Sequence, residues 1–370
     1  MSMTEQYSPT DKLVHRLVFA SRSAQLAMSG IEDSLFRRQL EPFSAEKPVF
    51  VTAMPRAGTT LLIELLEGSG EFAVHTYRDM PMLLAPLFWS KISRRFHRND
   101  TPRERAHGDG MMVSTDSPEA FEESIWALFW RDQYQTNHVE HWNPRLRHKE
   151  FEAFYRQHMR KILLLRQSEN AQPRRYLSKN NMNICRIEYM AKVMPDATFL
   201  IPFRHPLQHA ASLLNQHRRF LDLHRQDPFA RRYMRDIGHF DFGANLKPIN
   251  FDNWLAGNSY RDTTALPFWL RYWTAAYSHL LRVNPSSVHF FSFDQFINHP
   301  VRSLTAVTER LDLSDRKSLV RQSQRVGKPK RHTLTTGALP PDLLDEALRT
   351  WERLERRAIN LRLTAALQGA

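Results

Sequence analysis

A single cysteine, Cys185, stands in 370 residues. That excludes an internal disulfide and a zinc site built from several thiolates, and it fits a reducing compartment. Long apolar runs are missing as well: no window approaches the roughly eighteen apolar residues of a membrane-crossing helix. Met1 to Leu40 lacks the charged stub, apolar stretch and small-residue cleavage site of a secretory signal. A cytoplasmic protein is the expectation. There is no His-Glu-x-x-His, no Gly-x-Ser-x-Gly and no Gly-x-Gly-x-x-Gly, which removes zincin, α/β-hydrolase and dinucleotide-dehydrogenase readings. Internal repeats and low-complexity tracts are absent too.

What is present is the mix of a folded protein, 42% hydrophobic and 25% charged. Lys and Arg outnumber Asp and Glu by 52 to 39, a net charge of +13. This favours anionic partners and would suit peripheral contact with an anionic membrane surface. Seventeen histidines raise the question of a metal, with His138-Val139-Glu140-His141 and the nearby His148 and His158 foremost. Neither a metal motif nor the cysteine count supports one, and none is expected.

Apolar spacing predicts one or two helices in residues 11–40, then a buried strand at 47–53 and a helix from Thr60 to Leu66 stopped by Gly68 or Gly70. A second strand and helix follow at 197–203 and 207–217, a third strand at 288–293, and an amphipathic helix from Pro340 onward. Strands separated by helices imply a mostly parallel α/β sheet. The expected division is an N-terminal helical segment (1–46), an α/β domain (47–335) with helical insertions at about 80–175 and 218–262, and a C-terminal helix (336–370) packed on that domain.

Met54-Pro55-Arg56-Ala57-Gly58-Thr59-Thr60-Leu61 occupies the first strand-to-helix turn. Backbone N–H groups and the positive helix end favour an anion there. Gly58 admits close approach, Thr59 and Thr60 add hydroxyls, and Arg56 supplies a permanent planar charge. Gly58 stands where a nucleoside triphosphatase loop needs its Lys, which disfavours ATP or GTP hydrolysis. After the second strand, Arg204 is followed eight residues later by Ser212, with Pro206 able to begin a helix whose N terminus faces a phosphate.

These two motifs, each after a strand and in this order, resemble the sulfotransferase family, in the style of its bacterial and protein-tyrosine branches. The resemblance covers about residues 47–331. It implies a three-layer fold like that of P-loop nucleoside triphosphate hydrolases, and 3′-phosphoadenosine 5′-phosphosulfate as donor. By the same resemblance the turn (Arg56, Ala57, Gly58, Thr59, Thr60, Leu61) would bind the 5′-phosphosulfate, and Arg204 with Ser212 the 3′-phosphate. Asp294, in the echo of a late strand-end motif, is expected to be structural. Gln322-Ser323-Gln324-Arg325-Val326-Gly327-Lys328 is similar to the family's closing loop, with Arg325 and Lys328 as nucleotide ligands; residues 316–331 hold seven basic side chains and no acidic one.

A sulfuryl group carries less charge than a terminal phosphoryl, so fixed cations can serve its transfer and no metal is expected. The resemblance implies two such cations, Arg56 and Lys179, the latter at a strand end 25 residues before Arg204. Asp79 is the expected base for the acceptor, with His75 as its rival because an imidazole titrates near neutrality. The aromatic clusters Phe88-Trp89, Trp126 with Phe129-Trp130, and His141-Trp142 are either acceptor-pocket walls or core. The acceptor stays open among a small molecule, a glycan, a lipid headgroup and a peptide tyrosine, and no nucleic-acid partner is expected. A small-molecule kinase and a basic nucleic-acid-binding protein are the competing readings. Oligomeric state is not legible in the sequence.

Overall fold

The computed structural model describes residues 21–93, 121–168, 172–283, 285–327 and 339–362, with a few single positions and residue pairs between them. Its centre is a five-stranded sheet of β1 (Val49–Val51), β2 (Phe72–Ala73), β3 (Arg175–Lys179), β4 (Thr198–Phe203) and β5 (Val288–Ser292), in the order β2-β3-β1-β4-β5. All four pairings are parallel. The helices that position the site are α1 (Thr59–Glu67), α2 (Lys149–Arg166), α3 (Ile187–Val193), α4 (Pro206–Gln226), α5 (Leu266–Arg282) and α6 (Pro341–Arg357).

Three layers arise from the two-residue period of a strand. Val49 and Val51 face one core with Leu62, Leu65 and Leu66 of α1, while Phe50 faces the other with Tyr176 and Phe199. All three β1 side chains are fully buried, which is why the strand reads as an unbroken apolar run. The expected insertions hold α2, the rest of α4 and several shorter helices, and α6 packs on α5 and β5. Because β1 lies between β3 and β4, the chain leaves the sheet centre in both directions. Ligands of open α/β sheets bind beyond the carboxyl ends of the strands at such a point. No described helix is long and apolar enough to cross a membrane.

Candidate active site

Beyond β1 the chain turns sharply, with φ of 69° at Arg56 and 93° at Gly58. A Cβ at Gly58 would lie 2.2 Å from the Phe293 ring, so only glycine lets the turn close against that ring. Leu62 N–H donates back to Gly58 O at 3.1 Å, and no side chain caps α1. The N–H groups of Thr59, Thr60 and Leu61 therefore precede the helical ladder, at the positive end of the helix. Gly58→Ala is expected to lower Tm by several degrees in thermal unfolding, since the left-handed backbone and the ring clash act together.

The turn is held from beneath by His209, a buried residue of α4. Its Nε2–H donates to Pro55 O at 2.7 Å, and its Nδ1 accepts from Trp273 Nε1 at 3.0 Å. Burial and the Arg204 and Arg56 charges push this imidazole down to about 3, so it stays neutral.

At the end of β4, Arg204 Nη1 donates to the Arg56 carbonyl at 3.2 Å, and its guanidinium lies 5.2 Å from the centre of the Phe293 ring. Arg56 Nε in turn donates to Ser212 Oγ at 3.4 Å. The two strand-end motifs thus meet. His205 N–H donates to Asp294 Oδ2 at 2.7 Å, which gives Asp294 a structural task in the Arg204 turn. Arg204 Nε is buried without a partner. Burial depresses this guanidinium's pKa, Asp294 raises it and Arg56 lowers it again. An anion between the two arginines would satisfy the orphaned donor and relieve the repulsion.

Lys179 ends β3, level with Val51 of β1, and is buried. The next residues are tied down firmly. Asn180 N–H donates to Val51 O at 3.2 Å and Asn180 Nδ2 to Glu123 Oε2 at 2.8 Å. Glu123 also pairs with the fully buried Arg186 and accepts from Tyr134 OH. Asn181 accepts from Thr59 Oγ1 at 3.4 Å and donates to Asp241 Oδ2 at 3.2 Å. Asp241 is partly exposed. Desolvation raises its carboxyl above the ordinary range, against the opposing pull of His239, the Asn181 bond and Lys179. Asp241, Asn181 and His209 escaped the sequence reading, since no local motif marks them.

Asp79 and His75 are brought together, but inside the protein. Asp79 Oδ2 accepts from Arg166 Nη2 at 2.5 Å and Thr76 N–H at 2.9 Å, with His75 Nδ1 at 3.2 Å. His75 Nε2 is 2.9 Å from His158 Nε2, and all three of Asp79, His75 and His158 are buried. Burial pushes the Asp79 carboxyl up, yet the bond with His75 and the Arg166 charge outweigh it and hold the pKa below its ordinary value. The environment is that of a capped turn and an ion pair rather than of an open proton acceptor. Arg325 is exposed and donates to Gln322, whose amide caps Gly68 O at the far end of α1 from the phosphate turn. Lys328 lies outside the described residues. Instead, His332 comes over the start of α4, where its N–H donates to Gln208 Oε1 at 2.9 Å; burial, Arg204 and Arg56 all lower its imidazole pKa. Of the aromatic clusters, Trp126 and Trp142 are fully buried in the core.

The sequence model of the family described as "Sulfotransferase family" matches residues 48–241, just over half of the chain. The chain belongs to the sulfotransferase family. The matched stretch runs from the start of β1 to Asp241 and so contains the phosphate turn, Lys179, Arg204 and Ser212. Sulfotransfer by a transferase follows from that membership. Among solved structures, sulfotransferase STF1 from Mycobacterium tuberculosis H37Rv is 13% identical, over 88% of this chain and 81% of that one, with a TM-score of 0.44. STF9 from Mycobacterium avium is 15% identical over 92% and 81%, also at 0.44. A sulfotransferase from Alicyclobacillus acidocaldarius is 14% identical over 84% and 95%, at 0.37. No curated protein matches the chain in sequence.

Proposed function

We propose that this sulfotransferase uses 3′-phosphoadenosine 5′-phosphosulfate as donor and transfers its sulfuryl group to a hydroxyl or amine of the acceptor. The observation that carries the reading is the convergence of the two anion sites, with Arg56 Nε on Ser212 Oγ at 3.4 Å and Arg204 Nη1 on the Arg56 carbonyl at 3.2 Å. A single ligand with phosphates at both ends of one nucleoside fits two such sites in contact, and the buried, unpartnered Nε of Arg204 fits an anion as its missing acceptor.

The turn from Arg56 to Leu61 would hold the 5′ end of the nucleotide, and Arg204 with Ser212 the 3′-phosphate. When bound, the donor supplies an activated sulfuryl group on a phosphate leaving group. Arg56 and Lys179 are fixed cations for the charge that grows on the leaving oxygen, already oriented by the Ser212 contact and the tethered end of β3. Asp241 is placed to take the acceptor's proton: it is partly exposed, it is linked through Asn181 to Thr59 of the phosphate turn, and its pKa is raised toward the operating pH. Asp79 and His75 then position the segment after β2, through Arg166 and His158 respectively.

The acceptor is a small molecule, a glycan, a lipid headgroup or a peptide tyrosine, each with a free hydroxyl or amine to receive the group. Comparing sulfated metabolites by mass spectrometry in cells with and without the gene would identify it. Donor chemistry has a direct test. Adenosine 3′,5′-bisphosphate in EDTA is expected to raise Tm by about 2–4 °C at a hundredfold excess over its Kd. Stabilisation by Mg-ATP alone would point to a kinase, and nucleic acid displacing the bisphosphate at physiological salt would point to a binding protein.

A further inference from the structure

Outside the nucleotide site, three side chains from distant parts of the chain converge. His141 follows the short strand Val139–Glu140, Glu188 lies in the first turn of α3, and His279 lies in the last turn of α5. One ligand-capable atom from each lies within 4.8 Å of the other two, and this is the one such group among the described residues. His141 Nε2 is 3.8 Å from Glu188 Oε2, too far for a hydrogen bond. The His141 and His279 rings meet edge to face, centroids 4.2 Å apart. Ligands of a tetrahedral zinc, with bonds of about 2.0–2.2 Å, stand roughly 3.4 Å from one another. Shifts of about an ångström would close the cluster on an ion.

His279 shows that the arrangement is more than crowding. Its Nδ1 lies 3.2 and 3.3 Å from the two carboxylate oxygens of Asp252. A proton on Nδ1 donates to that carboxylate and leaves the lone pair on Nε2, which is buried with no partner; the side chain is 7% exposed. Carboxylate, imidazole and vacant nitrogen in sequence form the orienting device that metal-binding histidines use. Asp252 is itself fixed by Arg282. Glu188 and Asp252 together more than balance the Arg282 charge, so a dication would not enter a positive field.

We propose that His141, Glu188 and His279 bind a divalent first-row cation, zinc by ligand chemistry, with water completing the shell, and that the ion staples the 139–141 and 249–252 segments to α3 and α5. Two imidazoles with one carboxylate suit zinc far better than calcium or magnesium, which take oxygen ligands. The ion would act on stability. Residues 249–250 pair with 139–140 in a two-residue parallel ladder, an assembly too small to hold itself together.

The test is titration of the full chain, stripped with chelator and dialysed, with zinc chloride by calorimetry and thermal unfolding. One equivalent is expected to bind with a Kd in the micromolar range or tighter and to raise Tm by several degrees. Cobalt in the same site is expected to show the intense d–d bands of four-coordination. Glu188→Gln, at a partly exposed position, should weaken zinc at least tenfold, and His141→Asn combined with Glu188→Gln should abolish the stoichiometric step. Absence of a one-equivalent step in the unaltered protein overturns the proposal, and so does unchanged affinity in the folded double variant. If the double variant fails to fold, the unaltered protein's stoichiometry and cobalt spectrum decide. Bisphosphate binding in EDTA reports on the nucleotide site separately, so failure here leaves the donor assignment untouched.

Discussion

Arg56→Ala should lower kcat/KM about a thousandfold while leaving Tm within a degree or two. The size follows from the removal of a preorganised cation beside developing charge, worth about 3–4 kcal/mol in comparable electrostatic sites. Stability should hardly change, because alanine meets the same left-handed backbone at φ 69° that arginine already occupies and keeps the carbonyl that Arg204 holds. Arg56→Lys keeps the charge but loses the planar fork, so partial activity is expected. Arg204→Ala should act differently. Adenosine 3′,5′-bisphosphate and the 5′-monophosphate should then bind with nearly equal affinity, since the group lost is the one proposed to read the 3′-phosphate. Wild-type turnover and donor affinity in Arg56→Ala would sink the two-site reading.

The second large effect concerns the proton. Asp241→Asn is nearly isosteric and is expected to lower kcat by about a hundred- to ten-thousandfold, with the bisphosphate Kd changed less than threefold. The pH profile carries the sign. A base works as the carboxylate, so the rate falls as pH drops through its pKa. Because desolvation raises the Asp241 carboxyl, the acid limb of kcat/KM should lie above the ordinary aspartate range, and the asparagine variant should lose it. Asp79→Asn should behave otherwise. It breaks a buried contact with Arg166, which typically costs about 3–5 kcal/mol, and here somewhat less because the Arg166 side chain is 20% exposed. A fall in Tm of several degrees with the acid limb retained is the expected signature of a positioning residue. If Asp79→Asn instead keeps its Tm and loses both turnover and the acid limb, the base is Asp79.

The phosphate turn was legible because its information is local: five consecutive residues at one strand end carry the turn, the charge and the helix start. Arg204 and Ser212 were legible for the same reason, sharing one strand-to-helix passage with a fixed spacing. Asp79 shows where local reading stops. The residues next to it in sequence serve an open carboxylate or a closed ion pair equally well, and the partner that decides, Arg166, is 87 positions away. His141 stands in sequence beside His138 and near His148, but the groups whose ligand atoms lie within 4.8 Å of its own, Glu188 and His279, come from two distant helices.

Three of the five strands, the helices that follow two of them, the α/β class and the glycine turn after β1 were thus legible in the sequence itself, because hydrophobic period and turn chemistry act over a few residues. Only the tertiary structure decided that the Arg56 side chain reaches Ser212, that Asp79 is closed in a buried ion pair with Arg166, and that two histidines and a glutamate share one corner. Those facts depend on packing between elements far apart in the chain, where burial and distance set each group's charge and partner, and no short-range pattern encodes them.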